Sequence, residues 1–250
     1  MHDDKYCYPN SNVLINKLGI TNKQDLINAE IRLTLLRIKE LESSSINGDF
    51  DFFHLKAIHK YIFQDLYDWA GKERTVEIGK GNLFCPTLHI QEYAESVFAK
   101  YHKQCLESKY DFKKFIKVFS KNYGDLNALH PFREGNGRTQ REFARLVCLD
   151  CGFRFSLSHT THQEMLNASI LSFNKGDNVL FERIFSKSMF SLKNSKSNSI
   201  SFDILTSDDL DEKNIQANDY GYENYNSSEQ VNNEYKTKIK KMNSEISKGR

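Results

Sequence analysis

The chain has 250 residues, enough for one domain with a sizeable core and an appendage. Its formal net charge is +2 and 27% of residues are charged, so no global basic excess points to nucleic acid. The apolar runs are too short to span a membrane, Met1-His-Asp-Asp-Lys is too polar for a secretory signal, and five scattered cysteines fit reduced thiols in a cytoplasm.

The chain begins irregularly through Pro9-Asn-Ser-Asn. Thr21 or Asn22 can then cap a helix over about 23–42, with Leu26, Ile27, Ile31, Leu35, Ile38 and Leu41 on one stripe. Ser43-Ser-Ser-Ile-Asn-Gly is a loop. Asp49 or Asp51 caps a second helix carrying Phe52, Leu55, Ile58, Ile62 and Leu66, and Trp69-Ala-Gly71 closes it. Thr75–Ile78 alternates, Gly79-Lys-Gly-Asn82 is a turn cluster, and Leu83-Phe-Cys-Pro86 follows, which reads as a short hairpin. One helix is expected over about 90–107, on Tyr93, Val97, Phe98, Tyr101 and Cys105. Another is expected over about 111–128, on Phe112, Phe115, Ile116, Phe119, Tyr123 and Leu126. That aromatic stripe is core, and its end delivers the chain to His130.

The stretch His130-Pro-Phe-Arg-Glu-Gly-Asn-Gly-Arg-Thr-Gln-Arg141 concentrates the chemistry. Phe143, Leu146 and Val147 follow at helical spacing and Gly152 ends the run, so Gly135-Asn136-Gly137 opens a helix. Glycines at a helix start turn backbone N–H groups toward one point, and the dipole adds positive potential. Arg138 and Arg141 share a face, which suits a polyphosphate. Glu134 suits Mg²⁺, which takes one or two carboxylates plus phosphate oxygens. His130 can accept a proton from a hydroxyl, and Pro131 is expected to hold it extended. Beyond the motif, Phe153-Arg-Phe155 is extended. Thr161-x-x-Glu164 opens a helix to about Phe173, and Asp177 caps a last one to about Met189. Ser191–Arg250 is polar, with Asp208–Glu212 acidic and Lys236–Lys241 basic, and reads as a largely disordered tail with a helix near 229–246. Cys148-Leu-Asp-Cys151 reads as a helix coincidence rather than a metal or redox site.

The twelve residues from His130 to Arg141 match the Fic motif, His-x-Phe-x-(Asp/Glu)-Gly-Asn-Gly-Arg-x-x-Arg, at every defined position. The resemblance extends over about Tyr8–Phe190, including Tyr8-Pro-Asn-Ser-Asn-Val-Leu and Leu66-Tyr-Asp-Trp-Ala-Gly-Lys. It is to the Fic (Fido) domain family, of the bacterial cell-filamentation or toxin type. It implies a mainly α fold: a helical bundle with a short β-hairpin flap over the active site. Residues 1–50 would be an N-terminal helical segment, 51–190 the catalytic core with its flap at about 74–88, and 191–250 the tail.

The resemblance implies a protein adenylyltransferase moving AMP from ATP to a Tyr, Thr or Ser hydroxyl of a target protein. His130 would be the base, Glu134 the Mg²⁺ ligand, and Gly135, Asn136, Gly137, Arg138 and Arg141 the phosphate site. Lys80, Gly81, Asn82, Leu83 and Phe84 would dock the target. Many family members carry an inhibitory helix, Ser/Thr-x-x-x-Glu followed by Gly or Asn. Thr160-x-x-x-Glu164 has the first part only, since Met165 follows. A separate small antitoxin supplying a glutamate to Arg141 is therefore the expected inhibitor, with the tail as the rival. Transfer of another phosphate-containing group and a catalytically silent nucleotide-binding module are the competing functions. No direct nucleic-acid or membrane partner is expected. The location expected is cytoplasmic, with delivery into a host cell left open.

Overall fold

The computed structural model describes residues 5–80 and 82–192, with Lys80 described by its main chain alone. The Lys80 side chain, Gly81 and the tail elements expected beyond Leu192 lie outside the described residues.

Helix α1 (Lys23–Ser43) starts at Asn22, whose side chain accepts the Gln24 and Asp25 N–H groups. Helix α2 (Phe52–Phe63) is capped by Asp51 and ends several residues before Gly71. The bundle is assembled around α5 (Phe112–Leu129), an amphipathic helix capped by Asp111. Phe115, Phe119 and Tyr123 form an aromatic ladder along it, and Phe119 and Tyr123 also meet Phe185 from α8 (Val179–Ser188). Helix α6 (Asn136–Asp150) lies against α2 and α5, and Phe143, Ala144, Val147 and Cys148 are fully buried. Such an aromatic core is rigid enough to hold a loop at the end of α5 in one conformation.

The helix expected over 90–107 is two helices, α3 (Ile90–Phe98) and α4 (Tyr101–Ser108). Lys100 leaves the helical path at φ −121°, ψ −28°, and its ammonium reaches Asp125 at 2.9 Å. Tyr101 then wedges between Phe119 and Phe143. Anchor and wedge together outweigh continuing the helix.

The hairpin is shorter than expected. Strand β1 is Gly79–Lys80 and β2 is Asn82–Leu83, paired antiparallel with Gly79 opposite Leu83. Residues expected in the turn are thus in the strands, and Thr75–Glu77 is irregular. Arg74 explains this, because its guanidinium takes the Val76 carbonyl at 3.0 Å and so removes it from any ladder. Cross-strand bonding resumes at Ile78, whose carbonyl accepts the Phe84 N–H at 3.1 Å.

Strand β3 (Phe153–Phe155) pairs antiparallel with β4 (Met189–Ser191). The last helix therefore ends at Ser188 and Met189 belongs to a strand. Between them, α7 (His162–Lys175) carries the expected capping box, with Thr161 and Glu164 bonding reciprocally. All five cysteines are buried and none forms a disulfide, and burial pushes the thiols of Cys85 and Cys151 up to about 12. No group of three His, Cys, Asp or Glu among the described residues could hold a metal, and no described helix is long and apolar enough to cross a membrane.

Candidate active site

The site is built where α5 hands over to α6. His130 ends α5 at φ 43°, ψ 60°, a left-handed conformation rather than the extended one expected before Pro131. For a residue other than glycine this costs about 1–3 kcal/mol, so the surroundings must hold it. The ring Nδ1 lies 3.1 Å from the Asn127 carbonyl. A carbonyl only accepts, so Nδ1 carries the proton, and in a neutral imidazole that makes Nε2 the accepting nitrogen. Phe84 stacks on the ring, centroids 3.7 Å apart and 7° between planes.

The loop from Phe132 to Glu134 is fixed from below. Phe132 is buried and stacks on His59 at 3.8 Å. His59 Nε2 donates to the Glu134 carbonyl at 2.9 Å, and its Nδ1 accepts the Gly71 N–H at 2.8 Å. Burial holds the His59 pKa down near 3, so the ring is neutral, as those two bonds require.

Helix α6 begins at Gly135, with φ 80° and no side-chain cap. A Cβ there would stand 2.1 Å from Cζ of Phe63, so only glycine fits both the backbone and the space. The Asn136 side chain is engaged by Phe132, accepting its N–H at 2.9 Å and donating to its carbonyl at 2.7 Å. Asn136 can therefore offer a ligand only its backbone N–H. The Glu134 carboxylate accepts the Gly135 N–H at 2.7 Å and lies 3.6 Å from Arg138. One carboxylate beside an uncapped helix start is a donor set that could hold Mg²⁺ together with phosphate oxygens.

The two motif arginines diverge. Arg141 folds back over the helix start, its Nη1 3.3 Å from where a Gly137 Cβ would stand. Arg138 reaches α1, donating to Glu30 at 2.5 Å and to Thr34 at 3.2 Å, with its guanidinium over the Phe63 ring. Tyr67 donates to the other Glu30 oxygen.

One cavity gathers His130, Gly137, Gln140 and Arg141 with Tyr123 and Asn127 of α5 and Phe84 of the hairpin. Its far wall is α7, with His162, Met165, Leu166, Ser169, Ile170, Phe173 and Asn174. Arg138 and Glu134 do not line it. Burial pushes the Tyr123 phenol up to about 12, so it stays neutral. Asn127 Nδ2 is buried without a hydrogen-bond partner, a donor that a ligand in the cavity would satisfy. One wall thus offers the Arg141 cation and backbone donors, the other a largely apolar surface, and the His130 imidazole stands between.

At the mouth, Asn82 donates to Asn174 at 2.5 Å, which lays the hairpin across to α7. Leu83 is half-buried, and Phe84 faces inward onto His130 rather than outward. Glu164 accepts from the Thr161 N–H and hydroxyl at 2.9 and 3.0 Å, so the partial inhibitory pattern is occupied as a helix cap.

Sequence reasoning missed Glu30, His59, Arg74 and Asn127. Glu30 and His59 carried a signal, each a polar residue on the buried stripe of its helix. Glu30 stands in the run Leu26, Glu30, Thr34, Ile38 at helical spacing. Arg74 lies in irregular chain and carried none.

The sequence profile of the Fic/DOC family matches residues 49–148. A protein adenylyltransferase, VbhT, from Bartonella schoenbuchensis is 39% identical over 172 residues, covering 68% of this chain and 36% of the relative. A probable protein adenylyltransferase, y4lH, from Sinorhizobium fredii is 37% identical over 177 residues, covering 69% of this chain and 89% of the relative. The chain thus spans about a third of the first relative and most of the second. Among solved structures, the N-terminal Fic domain of a putative cell filamentation protein from Bartonella quintana, with bound ADP, matches at a TM-score of 0.71 and 25% identity. That match covers 76% of this chain and 96% of the other.

Proposed function

Because the chain belongs to the Fic/DOC family, we propose that it is a protein adenylyltransferase, moving AMP from ATP to a hydroxyl of a target protein. The observation that carries this reading is the cavity joining His130, whose Nδ1 faces the Asn127 carbonyl, to Arg141 and the uncapped start of α6. The triphosphate lies over the helix start at Gly135, Asn136 and Gly137, with the Asn136 and Gly137 backbone N–H groups as donors and Arg141 at its outer end. The base lies along the apolar face of α7. Arg138, held by Glu30, serves the phosphate site by fixing the helix start rather than from within the cavity.

The acceptor hydroxyl gives its proton to His130 Nε2 while its oxygen bonds to the α-phosphorus. The bond from that phosphorus to the β-phosphate bridging oxygen breaks, and pyrophosphate leaves. Glu134 would hold Mg²⁺, which would supply neutralisation of the charge developing on the leaving pyrophosphate. The backbone donors, in place before reaction, stabilise the equatorial oxygens. The hairpin edge at Asn82–Leu83 receives an extended segment of the target by backbone pairing. Inhibition by a separate small protein directing a glutamate at Arg141 fits a sequence in which the partial inhibitory pattern is spent on capping α7.

Incubation with Mg²⁺, a bacterial lysate and ATP labelled at the α- or γ-phosphate tests the reading. Label on protein from α only is expected, falling by roughly 10²–10⁴-fold in His130→Ala. Label from γ only, or unchanged transfer by a folded His130→Ala protein, overturns it.

A further inference from the structure

One guanidinium outside the cavity touches both parts of the machinery. The Arg74 side chain is fully buried. Its Nε donates to the His130 carbonyl at 2.9 Å, and Nη2 donates to the carbonyl of Cys85, the residue that follows Phe84. Nη1 donates to the Val76 carbonyl at 3.0 Å and lies 3.5 Å from Glu77. The Arg74 main chain joins in, its N–H donating to the Pro131 carbonyl at 2.8 Å.

These bonds close a circuit. His130 has a left-handed backbone that needs external support, and Arg74 holds the carbonyls of both His130 and Pro131. The His130 ring is set by the Asn127 carbonyl at one edge and by the Phe84 face. Phe84 sits on the same segment whose next carbonyl Arg74 grips, and the Cys85 N–H donates to the Ala128 carbonyl at 3.1 Å. A shift of the hairpin therefore reaches the imidazole by two routes, through Phe84 on the ring and through Arg74 on the backbone. Only a planar fork serves three divergent carbonyls at once, since lysine offers one compact charge with no fixed geometry.

We propose that Arg74 is a positioning residue through which the hairpin sets the orientation of His130, so that a target strand laid on the hairpin edge aligns the proton acceptor. The proposal rests on the adenylyltransferase reading, in which His130 takes the proton. It extends that reading, because it makes target docking and base alignment one event.

The test uses the full chain and Arg74→Lys, Arg74→Gln and Phe84→Leu. Wild type is assayed first for α-label transfer into lysate protein at saturating ATP, and absence of transfer there counts against the adenylyltransferase reading itself. With wild-type transfer in hand, Arg74→Lys is expected to lose roughly 10²-fold in rate, as misplacement of a reacting group does. Its apparent KM for ATP is expected to stay within about twofold. Long-range ¹H–¹⁵N spectra of the imidazoles should show a single Nδ1–H tautomer for His130 in wild type and a mixture in the variant. A folded Arg74→Lys or Arg74→Gln protein with wild-type rate and a single tautomer overturns the proposal, as does a loss expressed in ATP affinity alone. Should neither variant fold, Phe84→Leu decides, since it leaves the Arg74 bonds in place: a lowered rate with altered His130 ring signals supports the circuit, and unchanged rate or signals overturns it.

Discussion

Two glycines separated by a single residue respond in opposite ways to the same added methyl. Gly135→Ala must fit a Cβ 2.1 Å from the Phe63 ring on a backbone at φ 80°. Overpacking and the left-handed penalty together cost about 2–4 kcal/mol. Gly137→Ala meets only the end of the Arg141 side chain, at 3.3 Å, within a helix that alanine favours by about 1 kcal/mol. The expected result is a large fall in melting temperature for Gly135→Ala. Gly137→Ala should melt at the wild-type temperature or above and yet bind ATP more weakly. Calorimetry of melting and of ATP binding checks both, and a destabilised Gly137→Ala protein would contradict the geometry. Sequence spacing showed that glycines open this helix, but not which is needed for shape and which for space around Arg141. The same limit applied to Asn136, whose side chain is occupied by Phe132 for reasons that only the loop geometry reveals.

At the scale of elements, α2 supports the motif loop through His59, and this ties stability to pH. The folded ring has its pKa near 3 because it is buried, while the unfolded value is about 6.5. Between those values the unfolded chain binds a proton that the folded chain does not. Stability is therefore fully present above about pH 6.5 and declines as pH falls toward 3, by up to about 1.4 kcal/mol per unit. Burial lowers the His54 pKa as well, so its contribution has the same sign. Urea midpoints should fall from pH 7.5 to pH 5, and His59→Gln should flatten that slope. An equal slope in the variant would assign the effect elsewhere. Most helices were legible because their apolar residues recur at helical spacing, and α1, α2, α5 and α7 also carry Asn, Asp or Thr caps. The break at Lys100 and the pairing of Met189–Ser191 with Phe153–Phe155 were not, since both depend on residues distant in sequence.

Across the whole molecule, α1 is fastened to the motif helix by charge. Glu30 is fully buried and holds Arg138, and Arg37 pairs with Asp65 through two bonds of 2.7 and 3.0 Å. Removing Glu30 leaves a guanidinium with little solvent and a missing partner, which costs about 3–5 kcal/mol. Glu30→Ala should therefore lower stability sharply, and Glu30→Ala combined with Arg138→Leu should recover part of it. Denaturant unfolding of the two single variants and the double variant measures the coupling, and simple additivity would mean that the pair does not join the two helices. The fold class and the motif could be read from local pattern alone, whereas this long-range fastening could not, because nothing in sequence ties position 30 to position 138.

The buried cysteines give the molecule a practical property. Thiolates react and thiols do not, and burial keeps Cys85 and Cys151 protonated far above neutral pH while all five sulfurs are shielded. The folded chain is therefore silent toward thiol-directed dyes. A cysteine placed at the exposed Leu88, just beyond the hairpin, would be the single fast-reacting position without removing any native one. A fluorophore there would report movement of the hairpin root in otherwise unaltered protein, and the slow labelling of the native thiols would serve as a clock for unfolding.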